Sequence, residues 1–68
     1  MTDNMKTELI FTARSTYEFG RIVDTLEKRG YEVGTRNLEI KVVTMVNDAA
    51  PVVFMVQKII AEMAKEDA

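Results

Sequence analysis

Cysteine and histidine are both missing from this 68-residue chain. Without cysteine there is no disulfide framework, and without either residue an ordinary zinc site has no sulfur or nitrogen ligand. A Cys nucleophile, a Ser-His-Asp triad and a His general base are excluded with them. Only carboxylates, lysine, tyrosine, serine and threonine remain for chemistry. A strong charge of one sign is also lacking. The 9 basic and 11 acidic residues give a net charge of -2, and neither sign forms a long run, which argues against strong non-specific binding to nucleic acid. Long apolar runs are scarce too. Ala49 to Val56 is the longest, well short of the roughly 20 residues that cross a membrane. Met1 to Asn4 is polar and lacks the apolar core of a signal peptide. The expectation is one cytoplasmic domain over residues 1–68, without membrane attachment or cofactor, with 1–5 as a flexible leader and 66–68 as a frayed tail. A chain this short buries only about 60% of its unfolded surface. With disulfides and zinc excluded, oligomerisation is the remaining source of extra stability.

The best-marked element is a helix between Ser15 and Tyr31. Ser15-Thr16-Tyr17-Glu18 has the form of a capping box, in which Ser15 accepts from the N–H of Glu18 and the Glu18 carboxylate returns a bond to the N–H of Ser15. Phe19, Ile22, Val23 and Leu26 follow as an apolar stripe. Lys28 and Arg29 suit the negative end of the helix dipole. Gly30 then supplies a left-handed stop, with Tyr31 placed to fold back on Leu26. Gly20 is discordant. It costs roughly 1 kcal/mol against alanine inside a helix, and either another backbone approaches it closely or it is simply tolerated.

Before the helix, Lys6 to Arg14 alternates as a strand, with Leu9, Phe11 and Ala13 on one face and Glu8, Ile10 and Thr12 on the other. After it, Tyr31 and Val33 are apolar at odd positions, whereas Leu38, Ile40 and Val42 are apolar at even ones. A continuous strand would swap its buried face partway. Residues 34–37 are plausible turn residues, so the segment reads as a hairpin with strands near 31–34 and 38–46. A single bulged strand is the alternative. Asn47 or Asp48 caps a second helix from about Ala49 to Lys65, with Pro51 in its first turn. Its main stripe is Val52, Val56, Ile59, Ile60 and Met63, and Phe54 falls about opposite that stripe.

The order is therefore β-α-β-β-α. It predicts an α+β, two-layer sandwich in which a small mixed three-stranded sheet is covered on one face by two helices. Candidate sites follow. Ile10, Val43 and Met45 on the open sheet face, with Phe54 on the second helix, form a candidate protein interface. The exposed edges of the first or third strand are candidates for strand pairing. Arg14, Ser15 and Thr16, at a strand-to-helix junction, form a possible anion contact. Arg14, Arg21, Lys28, Arg29, Arg36 and Lys41 with Tyr17 and Tyr31 form a basic and aromatic set, although interleaved acids make ordinary solvated charge the simpler explanation. The carboxylate pairs Asp24/Glu27 and Glu62/Glu66 lie off the apolar faces, where little would shift a pKa for catalysis or metal binding. The expected function is that of a small non-enzymatic interaction module, regulator or inhibitor, acting as a homodimer. The alternative is a nucleic-acid- or anion-binding module using Arg14, Arg21 and Arg36.

Overall fold

The computed structural model describes residues 5–67. The elements follow the expected order: β1 (Lys6–Thr12), α1 (Thr16–Lys28), β2 (Glu32–Arg36), β3 (Glu39–Met45) and α2 (Ala49–Asp67). The fold is α+β, a three-stranded sheet with two helices packed on one face. Met1 to Asn4 of the expected leader lie outside the described residues. Met5 is exposed, but its carbonyl accepts from the Val46 N–H at 3.1 Å, which extends the β1–β3 ladder by one bond.

The strand order is β1-β3-β2, and both ladders are antiparallel. β1 and β2 do run parallel to each other, as a crossover through α1 requires. They are not neighbours, however, because β3 lies between them, so the sheet is antiparallel throughout rather than mixed. The physical reason lies in β3. Its Ile40, Val42 and Thr44 are buried, whereas the inward residues of β1 and β2 are largely half-buried. The strand with the most surface to hide takes the centre. The expected free edge on β3 is therefore absent, and the sheet's edges are β1 and β2.

The hairpin expected from the parity change is present. Arg36 pairs with Glu39, which leaves Asn37-Leu38 as a two-residue loop, and Asn37 takes the left-handed conformation at φ 56°. Gly34, Thr35 and Arg36 belong to β2 rather than to the turn, and the bulged single strand is excluded by the unbroken register. This loop carries odd positions of β2 onto even positions of β3, so Val33 stands opposite Val42. Across the other ladder Leu9 faces Val42 and Phe11 faces Ile40.

The core lies between the layers. Ile22 and Leu26 of α1, Ile40 and Val42 of β3, and Val52 and Val56 of α2 are fully buried, with Ile59 and Met63 continuing the α2 stripe. A buried side chain of this kind contributes about 1.5–3 kcal/mol relative to exposure. α1 ends as its sequence indicated. The Tyr31 N–H donates to the Leu26 carbonyl at 3.2 Å and the Gly30 N–H to Glu27 at 3.0 Å, with Gly30 at φ 87°. This is the double bond pattern of a Schellman stop. α2 is entered differently from the expectation. A turn of 3-10 helix over Val46–Asp48 feeds it, with the Ala49 N–H on the Val46 carbonyl and no side-chain cap on that turn. At its far end α2 continues to Asp67, and Glu66, expected in a frayed tail, is helical and bonded to Arg21.

The two glycines associated with α1 should respond oppositely to alanine. Among the described residues, nothing outside the local backbone of α1 lies within 4 Å of a Cβ placed at Gly20, so no other segment approaches it closely. Gly20→Ala should stabilise by about 1 kcal/mol, raising Tm by about 4–8 °C. Gly30→Ala must hold a left-handed backbone and should destabilise by about 1–2 kcal/mol. Thermal melts of the two variants check both signs.

Candidate functional site

Glu18 is a charged side chain buried in the core region, at 2% exposure. It sits in the first turn of α1, and its position is explained by three contacts. The Ser15 hydroxyl oxygen accepts from the Glu18 N–H at 3.1 Å, as expected. The carboxylate, however, does not reach back to Ser15. One oxygen accepts from the backbone N–H of Arg14 at 3.0 Å, and the other accepts from the Arg14 guanidinium through Nε at 3.2 Å and Nη2 at 3.1 Å. The box closes one residue earlier than the expected pattern. Arg14 lies four residues before Glu18, within reach of the same carboxylate from outside. A buried carboxylate with a charged fork and a backbone donor is well satisfied.

That arrangement occupies the Arg14-Ser15-Thr16 junction from within the chain. The positive end of α1 already holds an anion, the chain's own Glu18, and the cation that would recruit an external anion is bound to it. Arg21 is occupied likewise. It bridges to α2, with Nη1 3.2 Å from Glu66 and Nη2 3.8 Å from Glu62, and it stands over the Tyr17 ring at 5.8 Å. Tyr17 first, then Glu66, raises its pKa above the ordinary arginine value, so it stays charged. The carboxylates Glu62 and Glu66 thus serve a cross-helix ion pair. Asp24 pairs with Lys28 at 3.1 Å, while Glu27 is exposed. Arg36 belongs to the open sheet face, in the other layer. Arg14, Arg21 and Arg36 are therefore not brought together as a free basic cluster. Among the described residues no group of three or more acids converges as a metal site.

The candidate apolar interface divides in two. Ile10, Val43 and Met45 share the open sheet face, since Ile10 stands opposite Lys41, Val43 opposite Glu8, and Met45 opposite Lys6. Ile10 is 59% exposed, while Val43 and Met45 are half-buried. Charge is interleaved among them. Lys41 reaches diagonally to Glu8 at 3.8 Å, across the line joining Ile10 to Val43. Phe54 is 69% exposed on the outer side of α2, in the other layer, so it does not join that patch. Tyr17 adds a further exposed ring on α1, at 62%.

Sequence reasoning missed the Arg14–Glu18 and Arg21–Glu62/Glu66 pairs. The first was signalled by an i,i+4 spacing across the cap. The second was signalled only by two glutamates one turn apart, with nothing local to name their partner. No family model, curated protein or solved structure matches the chain. Among the described residues no helix is long and apolar enough to cross a membrane.

Removing the Glu18 carboxylate leaves the Arg14 N–H without its acceptor. Glu18→Ala should destabilise by about 2–3 kcal/mol, and Ser15→Ala by about 1 kcal/mol. Chemical denaturation of the two variants tests that ranking.

Proposed function

We propose that this protein is a small, non-enzymatic protein–protein interaction module of regulator or inhibitor type, acting as a homodimer through an apolar sheet face, a strand edge or the Phe54 face. The cytoplasm is the compartment this reading assigns. The observation that carries it is the exposure of large apolar side chains in both layers, Ile10 on the sheet and Phe54 on α2. Exposed apolar surface framed by charge is the common mark of a surface that another protein covers. The non-enzymatic part is supported by the state of Glu18, whose two oxygens are both engaged by Arg14. No arrangement of a base beside a nucleophile competes with that reading among the described residues.

A homodimer is the simplest association for such a chain, since two-fold pairing is the commonest oligomer. Sedimentation equilibrium across about 10–300 µM, the range in which a small interface is half-populated, should show a species of twice the chain's mass at the upper end. Tm should rise with concentration over the same range. A single-chain mass throughout, with Tm independent of concentration, would remove the homodimer from this reading.

A further inference from the structure

We infer that β2 is the dimer seam: two copies join edge to edge, antiparallel, about a two-fold axis at Gly34, forming one six-stranded sheet. This rests on the homodimer reading above and names the surface that serves it.

β2 is an edge strand, and among the described residues no strand lies on its outer side. Four of its five residues are exposed. Exposed edges present unpaired N–H and C=O groups, and proteins usually blunt them with lysine, proline or a bulge. β2 has no lysine, proline or bulge, and its two charged side chains, Glu32 and Arg36, stand only at its ends. Its sequence is Glu32-Val33-Gly34-Thr35-Arg36. Paired with itself about Gly34, Glu32 faces Arg36 of the second copy, Val33 faces Thr35, and Gly34 faces Gly34. By two-fold symmetry the Glu–Arg pair occurs twice. Shifting the axis to Val33 or Thr35 loses both pairs, so charge selects this register. Within the chain Glu32 stands opposite Val43 and makes no ion pair among the described residues, nor does Arg36. β1 is the poorer edge, because it begins with Lys6 and its Glu8 is already bound to Lys41.

The helix layer fits the same axis. α1 packs against β2 on one side and α2 on the other. Arg21 marks the α2 side through Glu62 and Glu66. At about 100° per residue, Phe19 and Val23 lie about 160° around the helix from Arg21, on the flank away from α2. Both are half-buried against the core. Gly34 is four residues past Gly30, roughly 13 Å along the chain. The same distance back along α1 is about nine residues, which reaches the level of Arg21, between Phe19 and Val23. The seam therefore brings these two side chains toward their copies above Val33 and Thr35. The half-exposed apolar flank of α1 and the unpaired charges of β2 meet at one axis.

The test is charge reversal and its repair, by sedimentation equilibrium on the full chain. Glu32→Arg and Arg36→Glu each place like charges face to face at two symmetric positions, and each should weaken the dimer by about tenfold or more. The double variant Glu32→Arg/Arg36→Glu restores opposite charges across the seam and should return the dissociation constant to within about threefold of wild type. Circular dichroism of all three checks that the monomer fold is kept, and repair by the double variant could not arise from misfolding. A wild-type dimer indifferent to both single reversals would overturn the β2 seam while leaving the homodimer reading standing. A wild type that stays monomeric would overturn both.

Discussion

Burial of Ile40 and Val42 between Ile22 and Leu26 on one helix and Val52 and Val56 on the other is the contact on which the remaining structure depends. Four of these six come from helices and two from the central strand. Both helices lie on one face of the sheet, and the fully buried side chains of β3 point to that face. Each inward position of β3 then imposes an inward partner on β1 and β2 through the ladder. Leu9, Phe11 and Val33 are fixed in that way rather than by their own burial, which is partial.

The consequence is a molecule whose two outer surfaces differ in how their charges are used. In its helix layer the ion pairs are made within the chain, although Phe54 and Tyr17 stay exposed. Glu18 closes the start of α1 with Arg14, and Arg21 ties α1 to the end of α2. Those pairs use cations that would otherwise attract an external anion, which leaves the anion-binding alternative without a free cluster. Among the described residues the sheet layer has one ion pair, Lys41 with Glu8. Its open face mixes Ile10 with the Lys41–Glu8 pair, and β2 carries an exposed edge whose Glu32 and Arg36 make no ion pair among the described residues. The proposed association draws on the open edge of β2, with Phe19 and Val23 of α1 beside it and Phe54 exposed on the outer side of α2.

Much of this was legible locally. The Ser15 cap, the Gly30 stop, the turn before Leu38 and the α2 stripe all rest on residues within a few positions of one another, and each signal had a distinct physical cause. What sequence left open depended on distant partners. Strand order turns on β3 hiding more surface than β1, which no short window shows. The destination of the Glu18 carboxylate depended on Arg14 curling over the helix start. The end of α2 was misjudged because Glu66 reads as a polar tail until Arg21, 45 positions earlier, is seen to hold it. At the candidate interface, alternation placed Ile10, Val43 and Met45 on one face correctly. Periodicity alone could not reveal the ion pair that runs between Ile10 and Val43.

The most direct measurement is backbone amide hydrogen exchange by NMR, read residue by residue at low and high protein concentration. The account predicts that β3 amides, bonded on both sides, exchange slowest at either concentration. It also predicts that the outward amides of β2 exchange freely in dilute protein and become protected in concentrated protein. β3 amides no slower than those of β1 and β2 would contradict the central placement of that strand, and with it the argument for which edge is left open.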